Sequence, residues 1–94
     1  MFVPQLGEKT GKVLGAVLEQ AMDGYTLQSQ TRLSPEDLAK AVQFLRDNEL
    51  IGVEGGITAD TIRSAYVWVP PGAKGNAQLA LRSLFRSQEN SKPF

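Results

Sequence analysis

The chain reads as an α+β domain in which three helices precede a two-stranded β-hairpin and one further helix follows it. Three observations carry this expectation. Residues 34–53 (SPEDLAKAVQFLRDNELIGV) form a capped helix running straight into a strand, residues 8–22 hold a helical apolar stripe, and residues 64–69 (SAYVWV) are β-branched and aromatic before a Pro-Pro-Gly stop. In the first of these, Ser34 can cap with its hydroxyl and Pro35 suits the first helical position. Glu36 and Asp37 set negative charge against the helix N-terminus. Leu38, Ala41, Val42 and Leu45 recur at the spacing of one buried face, and Glu36, Lys40, Gln43 and Asp47 fall opposite.

At 94 residues the chain is expected to be a single domain spanning 1–94, with a core over 8–70, a C-terminal helix over 76–88 and a flexible tail over 89–94. The 41% hydrophobic content is ordinary, and no apolar run approaches the roughly 18 to 20 residues that cross a bilayer. The opening stretch MFVPQLGEK has no basic region followed by an apolar one, so a cytoplasmic, membrane-free protein is expected. There is no Cys and no His, which excludes disulfides, thiolate or imidazole zinc sites and Cys or His catalysis. The remaining carboxylates show no paired or metal-ligand spacing, and no glycine pattern is followed by the Lys and helix of a phosphate loop. The expectation is therefore a non-enzyme without a cofactor or metal.

Ten basic and ten acidic residues cancel. Residues 34–49 carry two basic and four acidic side chains, whereas 71–94 carry four and one, so the basic excess lies away from the capped helix.

Taken in order, residues 2–7 read as an extended arm. In the first helix Val13, Leu14, Val17, Leu18, Ala21 and Met22 form the stripe, and Gly11 and Gly15 either admit another backbone closely or are tolerated surface glycines. Asp23-Gly24 supplies a stop and a turn, and residues 25–33 leave room for about two helical turns with Thr26 as a cap. Asn48 is read as a left-handed cap after the third helix. Residues 57–62 are open between a hairpin tip and a single turn capped by Thr58. After a short linker at 73–75, Asn76 is expected to cap the last helix, with Ala77, Leu81, Leu84 and Phe85 on its apolar face.

This order of elements resembles the winged helix-turn-helix family of DNA-binding domains over about residues 8–70. The most specific piece is TRLSPEDLAKAVQFLRDNELIGV, in which Leu33, Ser34, Leu38, Val42, Leu45, Leu50 and Ile51 occupy the family's buried and capping positions. Glu49 departs from the Gly often found there. The resemblance implies a three-helix core with a two-stranded β-hairpin wing and an additional C-terminal helix. It also implies sequence-specific binding of double-stranded DNA, as a small homodimeric transcriptional regulator, through Arg32, Ser34, Glu36, Asp37, Lys40, Gln43 and the wing residue Arg63. Glu36 and Asp37 would face a polyanion, which opposes that role. The alternative is a winged-helix protein-protein interaction module without DNA binding.

Two further regions are candidates for a dimer or partner interface. Tyr66 and Trp68 share one face of their strand, and they form an aromatic surface patch if Ala65, Val67 and Val69 cover the core. Leu81, Leu84 and Phe85 either pair subunits or pack on the chain's own first helix. Phe44, beside the apolar stripe, either extends the core or meets a partner.

Overall fold

The computed structural model describes residues 6–90, the backbone alone over 85–90. Four α-helices and a small antiparallel sheet occur in the order α1 (Glu8–Glu19), β1 (Met22–Asp23), α2 (Gly24–Thr31), α3 (Pro35–Asp47), β2 (Gly52–Glu54), β3 (Tyr66–Trp68) and α4 (Lys74–Asn90). Met1 to Gln5 of the expected arm, and residues 91–94 of the expected tail, lie outside the described residues, while residues 89–90 of that tail belong to α4.

The α3 helix begins as its sequence dictates. Ser34 accepts a hydrogen bond from the Asp37 amide at 3.1 Å, and Leu38, Ala39, Ala41, Val42 and Leu45 are buried. Its end differs from expectation. Asn48 has φ −93°, and Glu49 takes the left-handed conformation at φ 60°. The Glu49 amide then bonds to the Arg46 carbonyl and the Leu50 amide to the Leu45 carbonyl, the paired bonds of a glycine-type cap made here without glycine.

The sheet is three-stranded with order β1-β3-β2, where a two-stranded hairpin was expected. Met22 lies opposite Val67 and Asp23 opposite Tyr66, so the chain after α1 is a strand and not a mere turn. That strand stops α1 at Glu19, short of Met22. It also makes Asp23, not Thr26, the cap of α2, with the Thr26 amide donating to the Asp23 carboxylate at 2.8 Å. The core strand residues Met22, Val53 and Val67 align across the sheet and face the helices.

Residues 57–62 form the Thr58 turn rather than a hairpin tip. The Thr58 carbonyl accepts from the Thr61 and Ile62 amides, and a short 3-10 turn follows at Ile62–Ser64. Ile62 is fully buried, so the β2–β3 connection folds back onto the core instead of projecting. The expected strand 64–69 is accordingly narrowed to Tyr66–Trp68.

A 3-10 turn at Pro71–Ala73 leads directly into α4, which starts at Lys74 with neither the expected linker nor an Asn76 cap. Ala77, Ala80 and Leu84 are buried and Leu81 packs against the same core. A Cβ on Gly11 would collide with the Leu84 side chain, so of the two α1 glycines it is Gly11 that admits α4 closely. Gly15 faces open space.

Candidate functional site

The exposed face of α3 holds Glu36, Lys40, Gln43 and Asp47, and two ion pairs engage charges on it and beside it. Lys9 of α1 donates to Asp37 at 2.9 Å, and this hydrogen bond is the chief reason that the Asp37 carboxyl lies below its ordinary pKa. Gln43 donates its side-chain amide to Asp47 at 2.8 Å, and Arg46 lies 3.5 Å from the same carboxylate. Glu36 and Lys40 remain exposed.

The residues expected to meet DNA are divided among separate depressions. Asp37 and Lys40 line an open groove of about 500 Å³ with Lys9 and Phe44, which is 37% exposed and so stands at a surface rather than within the core. Ser34, Glu36 and Arg63 line a second, polar depression of about 320 Å³ together with Asp60. Arg32 lies with Lys12, Ala16 and Thr31 in a third. The backbone of Arg32 is left-handed at φ 60°, and its amide closes α2 on the Gln28 carbonyl at 2.8 Å, so this residue also acts as a helix terminator.

The partner candidates also separate. Leu84 is seated on α1, which favours the own-domain reading of that face, while Leu81 remains half-buried at the rim of a groove between α1 and α4. The side chain of Phe85 lies outside the described residues. On the sheet, Ala65 and Val67 are buried, so the aliphatic face covers the core and Tyr66 and Trp68 form the outer face. Tyr66 is 47% exposed, and the two rings lie 6.2 Å apart at 31°. Trp68 lies across Gly52, where a Cβ would come within 2.5 Å of the indole.

Register adds what the sequence reading missed. Asp23 and Glu54 both lie directly opposite Tyr66, one on each neighbouring strand, and both are exposed. Cross-strand partners share a face, so the outer row reads Asp23, Tyr66, Glu54, with Trp68 and Gly52 one step along. The hydrogen bonds from Thr26 hold the Asp23 carboxyl below its ordinary pKa. Among the described residues, no strand residue is basic. The missing signal was β1, whose two residues are too short for periodicity to reveal. Tyr25, next to the start of α2 and 64% exposed, and Leu79, 45% exposed on α4, are other apolar surface residues not singled out.

Among the described residues there is no group of three or more acidic, His or Cys side chains that could hold a metal ion, and no helix is long and apolar enough to cross a membrane. No family model, curated protein or solved structure matches this chain.

Proposed function

We propose that the chain is a winged helix-turn-helix domain used as a protein-interaction module. The scaffold assignment is supported by α2 and α3 joined through three residues, a small sheet following α3, and a short strand before α2 that pairs with the last strand. Such a scaffold does not specify its ligand, so the functional reading rests on the surfaces.

One observation carries it: among the described residues, the surface around α3 has no positive excess. Lys9, Lys40, Arg46 and Arg63 are equalled in number by Glu36, Asp37, Asp47 and Asp60, Lys9 and Arg46 lying in ion pairs with Asp37 and Asp47, while Arg32 lies apart with Lys12. A DNA reader neutralises roughly 6 to 10 phosphates, about three to five per subunit of a dimer. The outer sheet face instead offers two aromatic rings, the side-chain class enriched at protein interfaces.

A second reading keeps a specific observation in its favour. Lys40 is exposed on the helix that this scaffold usually places in the major groove, and Ser34 caps that helix at an exposed end. On that reading the protein is a homodimeric, sequence-specific DNA-binding regulator. Mobility-shift titrations with a pool of duplexes, at about 50 and about 200 mM salt, separate the two. The interaction module is expected to give no salt-dependent binding, and the Lys40→Ala/Gln43→Ala double variant to behave identically. A steep loss of affinity with salt, abolished in the double variant, would establish the DNA reading instead.

A further inference from the structure

We infer that the outer face of the sheet is a docking site for a cationic segment, a Lys- or Arg-bearing stretch of a partner protein, received by the rings of Tyr66 and Trp68 between the carboxylates of Asp23 and Glu54. The inference deepens the interaction-module reading and rests on it.

The register sets the geometry. Asp23 and Glu54 flank Tyr66 on opposite sides, and Trp68 lies 6.2 Å from Tyr66 between ring centres. A cation over either ring is attracted by the negative face of the π system, and guanidinium groups also stack on it. Asp23 and Glu54, on the strands either side of Tyr66, bring negative charge to the same face. Neither takes part in an ion pair among the described residues. The Asp23 carboxylate accepts the Thr26 amide and is fixed in place by that cap, so one of the two charges is positioned before any partner arrives.

Charge selects the occupant. A polyanion would meet both carboxylates. A second copy docked by twofold symmetry would set this acidic row against itself. A purely apolar segment would desolvate Asp23 and Glu54 without repayment. A cationic segment satisfies the carboxylates and the rings together. The rings project from alternate positions of β3, the same two-residue spacing at which an extended peptide presents its own side chains on one face.

Trp68 is the only tryptophan, so its emission reports on this face. The probes are three ten-residue peptides of alternating Gly with Arg, Gln or Glu, titrated against the full chain and its variants. The Arg peptide is expected to change the Trp68 emission saturably and to weaken with salt, and the Glu peptide to leave it unchanged. Tyr66→Ala and Glu54→Gln should each weaken the Arg peptide about two- to fivefold, and Tyr66→Phe should retain it. Circular dichroism of each variant identifies any that fails to fold, and Glu54→Gln leaves the sheet side chains in place. No saturable response to the Arg peptide overturns the inference. Equal binding of the Gln peptide overturns the cationic preference while leaving the interaction module standing. Salt-dependent duplex binding through Lys40 removes the module reading itself.

Discussion

The exposed face of α3 and the outer face of the sheet carry similar numbers of acidic groups but differ in how those groups are matched. On α3, Asp37 holds Lys9, and Asp47 holds Gln43 and Arg46. On the sheet, Asp23 and Glu54 lie opposite Tyr66, with no basic residue in any strand among the described residues. Surface pairs of the first kind contribute little to stability, yet they reduce the field that a charged ligand would feel. The second kind has no cationic partner among the described residues, since Asp23 is held only by the uncharged Thr26. A surface is therefore read better from which charges lack partners than from how many it has.

The largest expected effect tests the support shared by both surfaces. Ile62 is fully buried and anchors the connection between β2 and β3, one flank of which lines the depression at Ser34 and Glu36. Ile62→Ala should cost about 2–5 kcal/mol in denaturant unfolding. A loss below about 1 kcal/mol would mean that Ile62 does not anchor the connection.

A change at Gly52 affects the sheet face alone. The added Cβ of Gly52→Ala meets the Trp68 indole, so the ring must lift, at a cost of about 1–3 kcal/mol and with a shift of Trp emission toward that of a hydrated indole. Unchanged emission would show that the ring does not lie across Gly52.

The smallest effect sharpens the charge comparison. The Asp23 carboxyl has its pKa lowered by the hydrogen bonds from Thr26, so its contribution to stability is present above the unfolded pKa and is lost as pH falls through the folded one. Asp23→Asn keeps a capping side chain but removes the titration. Its stability difference from the parent should be widest near neutral pH and should narrow as pH is lowered from about 5 toward about 2. A difference constant over that range would place the carboxylate outside the cap.

Much of the helical architecture was legible because its signals are local. Ser34, Pro35 and the spacing from Leu38 to Leu45 specify α3 within one stretch of chain, and the structure keeps the cap and the buried face where they were read. The end of α3 was less legible. Asn48 is the better intrinsic candidate for the left-handed position, but closing on the Arg46 and Leu45 carbonyls requires the turn one residue later, at Glu49. The fold-back at Ile62 and the seating of Leu84 on Gly11 depend on residues far apart in the chain. Neither could be chosen over its alternative from spacing alone.

By itself the sequence determined the element types of α3 and β3, the exclusion of Cys and His chemistry, and the pairing of Tyr66 with Trp68 on one strand face, because periodicity and composition act within a few residues. Only the tertiary structure decided that this face points outward, that β1 joins the sheet, and that Asp23 and Glu54 bracket Tyr66. Strand register joins residues more than forty positions apart through backbone hydrogen bonds, which leave no mark on the side-chain pattern of a two-residue strand.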